Sequence, residues 1–372
     1  MGSPLITSRE KRPIMKTKRL YWPWILAAIL ICPQKGLCQF MRDIDRKEIG
    51  GLERIAPPPA AIELKLYRSF PTIEDEGAGH FLPEPSSFAC DPPGGFYIAD
   101  SKANVIFRFD RLGRFIGQFG RPGQGPGDFM LPLRVAIFDD AIHVHDAGNR
   151  RIQNLDLSGR YLGGRRVFKD YCDLAFCRDG SFVGAPLRVE SGESDALIEV
   201  LASDGKKVRA FGEPLRFAYD QSAMNRRRIL INKNDEIVLV FACLPYVRRY
   251  SRLGQLLQES RLETPFSFKK ETINRRMNSY LPDQKPGKLV VFYDACVRDD
   301  KIYLADYVRP RMWIWEIDGD LKITRTFYWT NAEDYMMIRQ ILPKADNGQM
   351  SFIVLGTLSN GGEERVHIFS IK

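Results

Sequence analysis

The sequence is poor in the residues that mark most catalytic centres. Its 372 residues hold four histidines (His80, His143, His145, His367) and seven cysteines, with no C-x-x-C pair and no Cys/His spacing of a zinc site. It also has no G-x-S-x-G nucleophile elbow, no P-loop and no glycine-rich dinucleotide turn opening a helix. Long hydrophobic runs are missing as well: the apolar stretch Leu20–Cys32 is 13 residues, against the roughly 20 a transmembrane helix needs. An excess of one charge is mostly local. Of 55 basic and 46 acidic residues, Met1–Cys38 holds seven bases and only Glu10, which leaves 48 against 45 in the body. A body so balanced, without a basic stripe or recognition-helix pattern, excludes nucleic acid as the partner.

The N-terminal stretch reads as an export signal. Lys16, Lys18 and Arg19 precede the apolar run, and Pro33–Cys38 follows it. Met15 is an alternative initiator, and cleavage after Cys38 places Gly36 and Cys38 at the −3 and −1 positions. Neither Cys32 nor Cys38 follows a small residue, which argues against lipid attachment; an uncleaved anchor is the alternative. The expected organisation is therefore a signal peptide over 1–38, an extended linker over 39–60 containing Pro57-Pro58-Pro59, and one domain over 61–372. The mature chain is expected to be secreted or periplasmic, monomeric and without a stable membrane span. Cys90, Cys172, Cys177, Cys243 and Cys296 remain in it, an odd number, each in an apolar strand-like run. They are expected to be small buried hydrophobes.

What the sequence does contain is a repeat. A strand-turn-strand unit recurs at Phe107–Phe119, Gln153–Gly163, Glu199–Phe211, Arg248–Gln258 and Trp313–Ile323, with turn glycines Gly113, Gly159, Gly205, Gly254 and Gly319. The intervals of 46, 46, 49 and 65 residues match one four-stranded propeller blade of about 40 to 50 residues, with an insertion in the last. The glycines stand where a hairpin needs a positive φ. Upstream of the turns lie second strands at Gly95–Asp100, Ala141–Asp146, Glu236–Phe241 and Lys301–Asp306, and upstream of those lie apolar inner strands. The last blade, with Ile338–Leu342, Met350–Leu355 and Arg365–Ile371, ends one strand short. Ile62–Phe70 alternates Ile62, Leu64 and Leu66 with Glu63 and Lys65, and so can supply that strand. The predicted fold is all-β: a six-bladed β-propeller of four-stranded antiparallel blades closed by an N-terminal strand. The insertion, 263–288, predicts a short helix between Pro265 and Pro282 packed on the rim.

The stretch Phe119–Asp156 resembles an NHL repeat: Gly123, Gly125, Gly127, Phe129, Pro132, Val135, Asp146, Asn149, Arg151 and Ile152 follow that pattern. Phe81–Asp110 matches more loosely through Pro85, Asp100 and Asn104, and Lys301–Ile314 keeps Asp306, Arg309 and Arg311. The resemblance implies that the Asp and Asn-x-Arg residues are scaffold. It also implies where enzyme relatives place their chemistry. The hydroxyglycine lyase of this type holds zinc with histidines where this chain has Ser86 and Leu133. Gluconolactonase-like propellers hold a divalent cation such as calcium with carboxylates and amides, and only Glu84, Asp173 and Asp294 approach that pattern here. His143 and His145 share one face of a strand, but no third ligand accompanies them.

Aligning the inner strands by their apolar cores puts Ser87, Arg134, Asp173, Arg228, Asp294 and Arg339 in one register at one channel mouth. Two readings of this ring stand open: ion pairs that plug the channel and order the blades, or a polar pocket whose arginines fork onto an anionic or zwitterionic ligand. The function expected is a non-catalytic propeller binding a small polar ligand, a glycan or a protein at the channel mouth or rim. A metal-dependent hydrolase or lyase is the alternative.

Overall fold

The computed structural model describes residues 51–72, 81–189, 195–218, 220–278, 288–331, 336–346, 349–358 and 362–372. The expected signal segment and His80 lie outside these. Alternating apolar positions, punctuated by Gly and Asp turns, produce the strands. Blade 1 is β2 (Pro85–Cys90), β3 (Phe96–Asp100), β4 (Val105–Phe109) and β5 (Phe115–Phe119); blade 2 is β6 (Pro132–Phe138), β7 (Ala141–Asp146), β8 (Arg151–Asp156) and β9 (Tyr161–Arg166). Blade 3 runs from β10 (Tyr171–Phe176) through β11 (Phe182–Pro186) and β12 (Ile198–Leu201) to β13 (Lys207–Phe211). Blade 4 is β14 (Arg227–Ile231), β15 (Ile237–Phe241), β16 (Tyr246–Tyr250) and β17 (Leu256–Arg261). Blade 5 is β18 (Asp294–Arg298), β19 (Lys301–Val308), β20 (Arg311–Ile317) and β21 (Ile323–Thr330). Each blade meanders outward from its inner strand, and consecutive inner strands touch in a closed ring.

Blade 6 has β22 (Met337–Asp346), β23 (Gln349–Thr357) and β24 (Arg365–Ile371), and β1 (Ile62–Phe70) completes it. The predicted closure is present: β1 pairs antiparallel with β24, from Leu64↔Ile371 to Phe70↔Val366. One further pairing was not expected. Ile62 and Glu63 also pair in parallel with Phe327 and Tyr328 of β21, so blades 5 and 6 share a continuous eight-stranded sheet. Phe70, fully buried, then reaches into blade 1 with ring centroids 4.8 Å from Phe96 and 5.4 Å from Phe109.

Four of the five turn glycines adopt the left-handed φ predicted, at 73° for Gly113, 90° for Gly159, 88° for Gly205 and 93° for Gly254. They are also sites of close approach between blades: a Cβ on Gly159 would lie 2.3 Å from the Phe119 ring, and one on Gly113 2.5 Å from that of Phe70. Gly319 departs from the expectation. In blade 5 the left-handed residue is Leu321 (φ 55°), whose N–H donates to Asp318 O just as that of Gly159 donates to Asp156 O. Leu321 is buried in the blade 4/5 core, which offsets the backbone cost.

Between blades the acidic and amide residues act as ties. Asp146 accepts from the Met130 N–H at 2.7 Å and from Arg151 at 2.8 Å, while Arg151 also donates to the carbonyls of Gln124, Gly125 and Asp128. Asn104 Oδ1 accepts from Leu131 N–H at 2.6 Å. Asp306 is engaged differently, by Lys270 at 2.5 Å in a fully buried ion pair. Lys270 belongs to the helix Ser267–Met277, which forms inside the insertion as expected, and Asn274 of the same helix donates to Cys243 O and Leu289 O. In the segment expected to be an extended linker, Leu52–Arg54 instead forms one 3-10 turn, because Leu52 buries its side chain in the blade 4/5 core.

Candidate functional site

Inner-strand position decides which side chains reach the channel. Arg134 Nε lies 3.1 Å from Asp173 Oδ1, which also takes Arg228 Nη1 at 3.2 Å. Arg228 donates from Nε to Asp294 Oδ1 at 2.6 Å and from Nη2 to the same oxygen. The second oxygen of each carboxylate binds backbone of the next blade: Ile229 N–H donates to Asp173 Oδ2 at 2.9 Å, and Ile341 N–H to Asp294 Oδ2 at 2.8 Å. Ser87 does the same with its hydroxyl, accepting from Val135 N–H at 2.7 Å. Burial alone would lower the Arg228 pKa, but Asp173 and Asp294 outweigh it and hold the guanidinium above its ordinary value. Arg134 is lowered, first by burial and then by the neighbouring Arg228 charge.

Five of the six expected residues thus share one ring, and Arg339 does not. Blade 6 carries the same bulge as blades 1 to 3, here between Ile338 and Gln340, and the residue that follows it, in line with Ser87, Arg134 and Asp173, is Gln340. Gln340 therefore occupies the ring register, where its amide accepts from Phe88 N–H at 2.8 Å and donates to Phe88 O at 3.0 Å, joining blade 6 to blade 1. Arg339 turns away and donates from Nε to Glu364 at 2.8 Å. Taking Ile341-Leu342 rather than Gln340-Ile341 as the apolar pair of this strand puts Gln340 in the ring register. Ser86, at the corresponding bulge of blade 1, donates to Pro132 O at 2.6 Å and so serves the scaffold.

Of the three carboxylates named by analogy for a divalent cation, Asp173 and Asp294 are already engaged, while Glu84 lies apart from them beside Arg339, Asp100 and Glu364 with its Oε1 buried and unpartnered. Every oxygen of Asp173 and Asp294 is engaged by arginine or backbone N–H, and among the described residues no three of His, Cys, Asp and Glu converge on one point. His143 and His145 do not form a metal pair. The His143 ring stacks on Phe138 at 3.7 Å and pairs with Asn154, whereas His145 lies buried beside Arg134 and Asp173. The five described cysteines carry free thiols.

At the other end of the inner strands a cavity of about 570 Å³ opens between the first hairpin turns of blades 1, 2, 5 and 6. Its lining includes Asp91, Phe138, Asp139, Arg298 and Lys344. Cys90 also borders it, its thiol pushed up to about 12 by burial and so protonated. Sequence reasoning missed this mouth, because Arg298 and Lys344 stand near strand ends in blades 5 and 6 with nothing local to relate them.

Two buried histidines give the fold an acid dependence. Burial lowers His145 and His367 to about 4, against about 6.5 in an unfolded chain. His367 is satisfied as the neutral ring: Nε2 donates to Gly356 O at 3.1 Å and Nδ1 accepts from Ser69 of β1 at 2.7 Å. As pH falls from about 6.5 towards 4 the unfolded chain takes up protons that the folded one refuses, so stability falls, by about 2 kcal/mol per histidine at pH 5. Urea midpoints at pH 7 and pH 5 test this, and His367→Gln should remove about half of the loss; an unchanged pH dependence in that variant would refute the assignment.

A family model described as a 6-bladed beta-propeller matches residues 92–247, from the first turn of blade 1 to the third strand of blade 4. Blade geometry and this match agree on the fold. Comparison with curated proteins returns no sequence match. Among solved structures, a protein of Bacteroides fragilis is similar at 13% identity, covering 84% of this chain and 99% of its own, with a TM-score of 0.53. The PQQ-bound aldose sugar dehydrogenase of Streptomyces coelicolor is similar at 14% identity (85% and 100% covered, TM-score 0.51). The calcium-binding protein regucalcin of Agrobacterium tumefaciens follows at 11% (84% and 96%, TM-score 0.50). At these identities the likeness is one of fold alone.

Proposed function

We propose that the chain is an exported, non-catalytic propeller with NHL-type repeats that binds a small anionic or zwitterionic ligand at a mouth of its channel. The observation that carries this is the 570 Å³ cavity, which brings the cationic Arg298 and Lys344 together with Asp91 and Asp139. That volume is in the usual range for small-molecule sites, and a few convergent polar groups on a partly apolar wall fix a ligand's orientation. In this reading the Arg134–Asp173–Arg228–Asp294 ring at the other mouth is a lock between blades, since its charges pair with one another. Export rests on the basic-apolar leader ahead of Gln39.

A thermal-shift screen of amino acids, sugar acids and dicarboxylates against the purified protein should find ligands that raise the melting temperature. Arg298→Gln should weaken any such ligand at least tenfold while leaving the ligand-free melting temperature close to the parent. A ligand whose binding ignores Arg298→Gln but is abolished by Arg134→Ala would move the site to the ring mouth and overturn the assignment.

A further inference from the structure

The cavity between blades 1, 2, 5 and 6 sorts its charges by side. In a closed ring of six inner strands, blades 2 and 5 stand opposite one another. Arg298 lies four residues beyond Asp294 of the ring and Lys344 four beyond Gln340, so both fall on the channel side of their strands. Arg298 is held by Nη1, which donates to Pro343 O at 2.7 Å. Its Nε lies 3.4 Å from Asp299, but that acid is 85% exposed, and such a pair is weak. Nη2 has no acceptor among the described residues, and the Arg298 side chain is 35% exposed, which leaves a donor open to a ligand. Lys344 extends the cationic side towards blade 1, its Nζ standing 3.5 Å from where a Cβ on Gly94 would be.

The open acids stand on blade 2. Asp139 and Asp140 form its first hairpin turn, both at positive φ (50° and 53°), both exposed, and neither in an ion pair or hydrogen bond among the described residues. Phe138, four residues beyond Arg134, lines the same end and is held flat against His143 at 3.7 Å. Asp91, the remaining acid of the lining, is taken up by the Gly95 N–H at 2.6 Å. Blades 1 and 6, which join the two ends, supply apolar wall from Pro92, Pro93 and Leu342.

A ligand that meets both ends must carry both charges and must carry them apart, because blades 2 and 5 face each other across the channel. An α-amino acid, with ammonium and carboxylate on one carbon, reaches only one end. Deepening the binding role proposed for this cavity, and resting on it, we propose that the ligand is a linear zwitterion with an apolar middle, of the ω-amino-acid type. Its carboxylate takes the open donor of Arg298. Its ammonium sits with Asp139 and Asp140 beside the Phe138 ring, and its methylenes lie along Pro92, Pro93 and Leu342.

Calorimetric titration of the intact protein at pH 7.5 with ε-aminocaproate, its isomer norleucine, caproate and hexylamine tests this. The first should bind at least about tenfold more tightly than each of the others, since each of those lacks one charge or places the two together. Asn tolerates a positive φ as Asp does, so the joint variant Asp139→Asn with Asp140→Asn should stay folded and lose the preference over caproate. Arg298→Gln should lose the preference over hexylamine. Norleucine binding as tightly as ε-aminocaproate would overturn the proposal. Caproate binding as tightly would overturn it too, yet leave an anion site in the cavity. If none of the four bound while the thermal-shift screen found another ligand that Arg298→Gln weakens, the zwitterion would fall and the cavity's binding role would stand.

Discussion

A chain shortened to begin at Thr72 should lose its cooperative unfolding transition and its near-ultraviolet circular dichroism. β1 contributes Leu64–Phe70 to the fourth position of blade 6, and Ile62 and Glu63 pair with the outer strand of blade 5, so its removal opens both blades. Leu64 is 1% exposed and Phe70 fully buried. Truncating single side chains of these kinds to alanine costs about 2–5 and 3–5 kcal/mol respectively. Removing both, together with six paired positions of backbone along β24, is comparable with the 5–15 kcal/mol that holds a typical domain together. The Gly113 turn would lose the Phe70 ring against which it packs, carrying the damage into blade 1. Phe70→Ala in the full chain is the milder companion: it should lower stability by about 3–5 kcal/mol with the transition still cooperative. A shortened chain melting at the parental temperature would show that closure is not needed.

The parts of this architecture visible in the sequence are those with a period. Turn glycines recur because four of the five take a positive φ, and three of those four, Gly113, Gly159 and Gly254, also leave room for the ring that ends the preceding outer strand, as Gly159 does for Phe119. The missing strand was legible because β1 alternates apolar and polar residues on its own. What stayed hidden depends on single-residue offsets or on neighbours far away in the chain. Gly319 looks like the other turn glycines, yet the turn starting at Asp318 puts Leu321 in the left-handed position. In β22 the apolar pair is Ile341-Leu342, one residue beyond Gln340-Ile341, and this puts Gln340 rather than Arg339 in the ring. Lys270 finds Asp306 across 36 residues, and the cavity gathers residues from four blades. The ring of charge was readable because five inner strands carry their polar residue at the same distance from an apolar pair.

Arg228→Ala should be the most damaging single substitution in the channel, costing about 3–5 kcal/mol. Arg228 is the shared partner of two carboxylates, each with 1% of its side chain exposed. Deleting it leaves Asp294 without a cation and Asp173 with Arg134 alone, in surroundings where an unpaired charge is costly. Arg339→Ala should cost less, because Arg339 stands outside the ring and its acid partner is Glu364. A double-mutant cycle gives the sharper measurement. Asp294→Asn removes the charge that Arg228→Ala strands, so the double variant should be more stable than the sum of the single losses predicts, by about 1–3 kcal/mol. Arg134 with Asp294 should show a smaller coupling, since the two meet only through Asp173 and Arg228. If Arg228→Ala left the urea midpoint unchanged and instead abolished the response to ligands found by the screen, the ring would be the binding site rather than the lock.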